Sequence, residues 1–470
     1  MISLDINLEE KIKRTLRLQK DSILRLRNSS YQERIKKIKS IKKYLETHED
    51  EIMEALYKDF KKPKAEVFIG ELFGIKHEID SVLSNIKEWV KPQQVSTPLV
   101  LAGTSSFIQF ESKGLCLIIS PWNYPLNLTV NPLVQAIAAG NAVIIKPSEL
   151  SPNTSAFIQK MIEDLFDSSE IAVFQGDGLV ASYLTEQKFN HIFFTGSPAI
   201  GKIVMGAAAK NLCSVTLELG GKSPAIVHES ADIKSSARKI AWGKFLNNGQ
   251  TCIAPDYVFV HKSQYHELIS QLKSVLNDFY GNIQNSEDYA RIINNRHFQR
   301  IKNLLDSSVA SGAEIEFGGE CISEDNFISP TLLSNINFEM DIMKEEIFGP
   351  LLPIIIYSNK DEIVEYLNQE EKPLALYIFS QNKEFNDFIL KHTSSGGTVI
   401  NDCLIHFGHQ NLPFGGINNS GIGKAGGHFG FLEFSNQKAV VKQNTNLLKM
   451  LYPPYSIQTN WLVKQIYKWF

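Results

Sequence analysis

The chain switches between two hydrophobic periods. Over the first 60 residues, apolar positions recur at helical spacing. Ile38, Ile41 and Leu45 stand at i, i+3 and i+7, and Ile52 and Leu56 continue at i+4. From 115 to 219 short apolar runs take over, at Leu115–Ser120, Ala142–Lys146, Ile171–Phe174, His191–Thr195 and Val215–Leu219. Helical patterns over 125–139, 152–166, 178–186 and 198–209 separate them. Such alternation predicts an α/β fold whose parallel sheet is covered on both faces and takes ligands at the carboxyl ends of its strands. A second alternation begins at 220, with a helix over 231–248, a strand over 256–261 and a helix over 263–279. Two stretches fall outside these patterns. Residues 97–111 are extended and β-rich, and Lys438–Gln443 is a matching short strand. Together they predict a projecting arm.

At 470 residues the chain has room for two to four domains, at roughly 100–200 residues each. With 43% hydrophobic and 21% charged residues, disorder, collagen and coiled coil are excluded. The net charge of −3 gives no general reason to bind nucleic acid or an anionic membrane. Residues 11–43 do carry thirteen Lys/Arg against Asp21 and Glu33. Spread over more than one helix, they read as solvated helix faces rather than a polyanion site. The cysteines are Cys116, Cys213, Cys252, Cys321 and Cys403. Widely spaced and with no CxxC pair, they argue against a disulfide framework or a zinc site and for a reducing compartment. The N-terminus carries Asp5, Glu9 and Glu10 and lacks a secretory apolar run, and no apolar stretch is long enough to span a bilayer. A cytoplasmic enzyme without a metal is the expectation.

Five short segments carry candidate chemistry. In HIFFTGSPAIGK a strand ends before Gly196 and Ser197, and Pro198 opens a helix whose first N–H groups can meet a phosphate. The spacing Gly196 to Gly201 is not GxGxxG, and on its own an ordinary strand–helix turn is the commoner reading. In IIKPSEL, Lys146 and Glu149 could grip ribose hydroxyls, or serve as the start of the next helix. In FLNNGQTCIAP, Cys252 follows a polar, Gly-containing turn; a free cysteine is more often inert than nucleophilic. In VTLELGGKSP, Glu218 ends an apolar strand, either as a costly buried charge or as a functional base. In SPWNYP, the Asn123 amide can donate into a cleft. A thiol, a carboxylate, an amide and a phosphate turn suit thioester chemistry with hydride transfer.

Those segments, with EEIFGP (345–350) and LPFGGINNSG (412–421), resemble the signature segments of the NAD(P)-dependent aldehyde dehydrogenase superfamily, in the family's order. RIINNRHFQR, EKPLALYIFS and YPPY resemble its class 3, fatty or aromatic aldehyde, branch. The resemblance implies a Rossmann-like cofactor domain (1–93 and 112–219), a second α/β catalytic domain (220–419), a β-arm for oligomerisation (94–111 and 431–446) and a C-terminal tail (447–470). It implies Cys252 as nucleophile, Glu218 as general base and Asn123 as oxyanion donor. For the coenzyme it implies Trp122, Lys146, Glu149, Gly196, Ser197, Gly201, Glu346 and Phe348. For the aldehyde pocket it suggests Tyr124, Trp242 and Phe414. NAD is the expected cofactor, with NADP also usable, and a homodimer the expected assembly.

Such a mechanism needs a thiolate, so a positive or dipolar setting should lower the Cys252 pKa. A CoA-acylating enzyme is the nearest rival, disfavoured because transfer to CoA does not need Glu218. A catalytically silent binding protein and a redox sensor on Cys252 are the others. In the tail, Trp461, Leu462, Ile466, Trp469 and Phe470 form an apolar helical face beside Lys464 and Lys468. It suits packing on the body or a partner, or a peripheral membrane contact.

Overall fold

The computed structural model describes residues 4–445, 449 and 452–469. Two sheets organise it. The first has six strands, and five run parallel in the spatial order Ser214–Leu219, His191–Gly196, Leu115–Ile119, Ala142–Lys146, Ile171–Val173. The chain therefore builds outward from Leu115–Ile119 in one direction, then returns and builds in the other. That reversal creates a crevice between the carboxyl ends of Leu115–Ile119 and His191–Gly196, where such sheets take ligands. Gly421–Ile422 closes the edge antiparallel, with Gly421 opposite Glu218.

The residues explain the layers. Leu115–Ile119 is buried throughout, and its side chains divide by the two-residue period. Cys116 and Ile118 face the helices Tyr31–Thr47, Phe73–Trp89 and Asn127–Ala139, while Leu115, Leu117 and Ile119 pack into a separate cluster with Ile12, Leu16 and Val204. The helices expected over 125–139, 152–166, 178–186 and 198–209 occupy Asn127–Ala139, Pro152–Leu165, Gly178–Thr185 and Pro198–Ala209.

The second sheet has seven strands and is built from residues after 220. Its order is Glu314–Phe317, Thr331–Ser334, Leu351–Tyr357, Tyr257–His261, Pro224–Val227, Ala375–Phe379, Gly397–Ile400, parallel except for the first. The arm is a three-stranded antiparallel sheet. Thr104–Ser112 pairs with Ser435–Gln443 over nine residues and with Gln93–Val95 on its other side. The expected strand at Lys438–Gln443 thus begins three residues earlier, while 97–103 contributes a 3-10 turn rather than strand.

The basic N-terminal helices are partly paired. Arg25 and Lys37 meet Glu170, Lys42 meets Asp80, and buried Arg34 donates to the carbonyls of Ala138 and Arg27. In the tail, Ile457–Trp469 is helical, with Trp461 and Tyr467 exposed. Phe470 lies outside the described residues. Among the described residues no helix is long and apolar enough to cross a membrane.

Candidate active site

The loop before Cys252 is held in an unusual shape. Asn247, Asn248 and Gly249 follow one another in the left-handed region, with φ of 53°, 56° and 72°. Two non-glycine residues there carry strain that the surroundings must offset. They do so by hydrogen bonding. The Asn247 N–H donates to Glu66 at 2.8 Å, and its side chain donates to the carbonyls of Asn123 and Gln250. The Asn248 side chain donates to the Ala290 carbonyl. The Gln250 amide donates to the Arg291 carbonyl and accepts from the Ile293 N–H. Gly249 packs so closely that a Cβ there would stand 2.3 Å from the Gly349 carbonyl oxygen. The thiol that follows is thus set on a rigid turn.

Asn123 lies on the loop after Leu115–Ile119 and is buried. One of its amide N–H groups donates to the Gln250 carbonyl at 3.0 Å, which ties it to the thiol loop and leaves a second donor. A buried ion pair supports it from behind. Lys62 and Glu71, both fully buried, meet at 2.9 Å. The Lys62 ammonium lies 3.9 Å from the Tyr124 ring centre and donates to the Asn123 carbonyl, and Glu71 accepts from the Asn127 N–H. Burial lowers the Lys62 pKa and raises that of Glu66 to about 7. Glu71 belongs to the π-helical turn Phe68–Leu72, a local widening often found at functional sites.

Glu218 is buried at the carboxyl end of its strand, and its Oε1 has no hydrogen-bond partner in the protein. Burial, with Glu433 adding repulsion and Lys424 opposing, pushes its pKa up to about 8. A carboxyl so poised is a general base near neutrality. The thiol behaves otherwise than the sequence suggested. Burial, together with the Glu346 and Glu218 carboxyls, pushes the Cys252 pKa well above its ordinary value. Among the described residues no cation offsets this, so the expected lowering is not supplied by these side chains.

A cavity of about 450 Å³ opens at the switch point of the first sheet, lined by Trp122, Asn123, Gly196, Ser197, Glu218, Cys252, Glu346 and Phe348, among others. Ser197, Pro198 and Ala199 bring to it the start of a helix with no side-chain cap. Uncapped N–H groups there fit a pyrophosphate. Phe348, at φ 44°, stands edge-on to Trp122 at 5.3 Å. Glu346 presses on Gly220, where a Cβ would come 2.1 Å from its Oε2. Burial raises the Glu346 pKa to about 8. The residues present therefore fit a dinucleotide.

Lys146 and Glu149 pair with each other at 2.6 Å and lie outside that lining. Gly201 also lies outside it; a Cβ there would stand 2.7 Å from Leu219, so its smallness serves helix–strand packing. Two residues with no assigned role enter instead. Arg300 donates to the carbonyls of Glu346 and Ile347, and His297 lies 5.1 Å from Trp122. Both sit in RIINNRHFQR, a segment that stood out in the sequence only by resemblance. Lys62, Glu66 and Glu71 gave no sequence signal, since their meeting depends on the π turn.

A second cavity of about 430 Å³ is largely apolar, with Ile69, Phe73, Tyr124, Trp242, Leu246, Ile253, Leu404 and Phe407 in its wall. Tyr124 and Trp242 both stand in this wall. Phe414 is not among its residues; its ring meets Phe407 edge-on at 5.0 Å. Cys252 lines both large cavities.

The comparisons agree with this geometry. The profile of the Aldehyde dehydrogenase family matches residues 7–440. The chain belongs to the aldehyde dehydrogenase family. It is 43% identical over 424 residues to the 4,4'-diaponeurosporen-aldehyde dehydrogenase of Staphylococcus aureus, covering 90% of this chain and 92% of that one. It is 42% identical over 429 residues to aldehyde dehydrogenase family 3 member A2 of Pongo abelii, covering 90% and 87%. The substrate-bound structure of Staphylococcus aureus AldH superposes with a TM-score of 0.93 at 40% identity, covering 97% of this chain and 99% of that one. This aldehyde dehydrogenase is of the class 3 type and oxidises aldehydes to acids with NAD(P).

Proposed function

We propose that the chain converts medium- or long-chain aliphatic, or aromatic, aldehydes to carboxylic acids through a thioester on Cys252. The observation that carries this is the thiol's place in the wall of two cavities, one at the sheet's switch point carrying Asn123, Ser197, Glu218 and Glu346, the other largely apolar. Trp122, Gly196, Ser197, Glu346 and Phe348 would hold the coenzyme's phosphates and nicotinamide end. Lys146 and Glu149 would reach its adenosine ribose. When bound, the oxidised nicotinamide supplies a positive ring and an acceptor for the aldehyde's hydride.

The protein's own residues do the rest. Cys252 adds as thiolate to the carbonyl carbon. The free Asn123 donor and the Cys252 N–H hold the resulting alkoxide. Once the carbon is oxidised, the acyl group remains on sulfur as a thioester. Glu218 then takes a proton from water, whose oxygen attacks the thioester and releases the acid. Replacing Glu218 with Gln should leave the first turnover intact and halt the second: a stoichiometric burst of NADH from hexanal, then acyl-enzyme visible by mass spectrometry. Normal steady-state turnover in E218Q would overturn the assignment, and formation of acyl-CoA in place of the acid when CoA is added would favour the acylating rival.

The two sheets correspond in this reading to a cofactor domain (1–93 and 112–219) and a catalytic domain (220–419), with an oligomerisation arm (94–111 and 431–446). Among the described residues no strand pairs with the outer edge over 435–442 in the three-stranded arm, which supports pairing with a second copy; light scattering tests for a dimer. The tail helix, with Trp461 and Tyr467 exposed beside Lys464 and Lys468, suits a peripheral membrane contact. Liposome sedimentation with and without residues 456–470 tests that.

A further inference from the structure

Glu218 borders two spaces. One is the coenzyme cleft that it shares with Cys252. The other is a cavity of about 40 Å³ whose wall includes Glu78, Asn131, Gln135 and Gln410, and does not include Cys252. At roughly 10–15 Å³ for each water, it has room for about three or four.

The polar atoms around this small cavity are unusual. Glu218 Oε1, Asn131 Oδ1, Gln135 Oε1 and Gln410 Oε1 are all buried without a hydrogen-bond partner in the protein. All four are acceptors. Two of the amides are fixed in orientation, because Asn131 donates its Nδ2 to Asn127 and Gln135 donates its Nε2 to Glu78 Oε1 at 3.2 Å. Each acceptor left orphaned in a dry interior would be costly. Water O–H groups or a carboxyl proton can satisfy them. The lining also includes a second buried carboxyl, Glu78, whose Oε2 accepts the Gly427 N–H at 3.0 Å.

We propose that this cavity holds the water chain through which Glu218 passes its proton to Glu78 after each thioester hydrolysis. The inference rests on the assignment of Glu218 as base. The step balances as follows. Glu218 carboxylate takes one proton from a water, the water oxygen bonds to the acyl carbon, and the C–S bond breaks with its electron pair on sulfur. The proton then moves from Glu218 along water O–H bonds to a Glu78 oxygen, one O–H bond breaking as the next forms, and from Glu78 to bulk water. Nothing is oxidised or reduced in this relay, and Glu218 is restored as carboxylate. Burial raises the proton affinity of both carboxyls above the ordinary range, so that the donor and acceptor are matched in kind.

The experiment pairs E78Q, which keeps an acceptor for the Gly427 N–H, with N131L, which fills the cavity with an apolar side chain. Hexanal and NAD are mixed with each in a stopped-flow instrument. The NADH burst should keep its amplitude and rate, while the steady-state rate falls about tenfold or more and its solvent deuterium effect grows. Imidazole, a small diffusible base, should restore part of the rate in E78Q. Wild-type steady-state rates and isotope effects in both variants would overturn the inference. If E78Q loses its burst or melts at lower temperature, N131L decides alone by the same two criteria. E218Q separates the two claims: normal turnover there removes the base, whereas a stalled E218Q beside unaltered E78Q and N131L removes only the water relay.

Discussion

The two sides of Cys252 are built on opposite plans. The loop that carries it is polar, left-handed and fixed at almost every amide, with Glu66, Asn123, Arg291 and Ile293 each holding one of its groups. The apolar cavity draws its wall from four separate stretches, around 69–74, 124–128, 242–253 and 404–409. Most of its wall side chains make dispersion contacts and no directional ones. Rigid polar positioning suits a reaction whose atoms must meet within fractions of an ångström. An adaptable apolar wall suits a range of aldehydes, because a methylene more or less costs only about 1–3 kcal/mol.

Substitutions on the two sides should therefore fail differently. The largest effect belongs to C252A, which should lower NADH formation from hexanal to background while NAD still quenches tryptophan fluorescence; persistent turnover would place the nucleophile elsewhere. N123A should retain coenzyme binding and lose about 10²–10³ in kcat, as for a single oxyanion donor. K62M leaves Glu71 buried and unpaired, and should cost about 3–5 kcal/mol in urea unfolding. F407A, on the adaptable side, should change kcat/KM for dodecanal relative to hexanal by about tenfold and leave the burst with hexanal in place. An equal loss for both aldehydes would mean that this wall is as demanding as the thiol loop.

The pH profile sharpens the same contrast. Glu218 must be ionised to act, and its pKa lies at about 8. Deacylation should rise with pH and level off above that value, and at pH 6 about one hundredth of the sites would carry the active carboxylate. Stability runs the opposite way. Between the ordinary carboxyl range near 4.5 and about 8, the unfolded chain has lost this proton and the folded one has kept it. Rising pH therefore removes stability across that window, and E218Q should flatten the slope of urea midpoints against pH. A slope unchanged in E218Q would show that other groups set it.

Much of the first sheet was legible because a two-residue period and a helical one do not look alike. The runs starting at 115, 142, 171, 191 and 215 all became strands, and the turn at Gly196 faces the cleft. The antiparallel closure by Gly421–Ile422 was not legible, since two residues give no period. Cys252, Glu218 and Asn123 were readable as segments, and the fold brings all three to one cavity. The supporting ion pair was hidden because its members acquire meaning only through a π turn and a contact across about 60 residues of sequence. Phe414, which only the resemblance suggested for the aldehyde pocket, does not line the apolar cavity and instead meets Phe407 edge-on. The thiol's surroundings also ran against expectation, since burial and two carboxyls outweigh any dipole offered by the backbone.

The arm joins segments far apart in the sequence, with Ser435–Gln443 lying along Thr104–Ser112 for its whole length. A chain shortened before residue 435 would strip that cover and bare a nine-residue ribbon of backbone amides and carbonyls carrying Phe107, Ile108 and Phe110. Such a ribbon is a template for uncontrolled stacking. The final strand is thus also a guard against fibres, and shortened forms of the protein should be collected from inclusion bodies even where every group that touches the aldehyde has been kept.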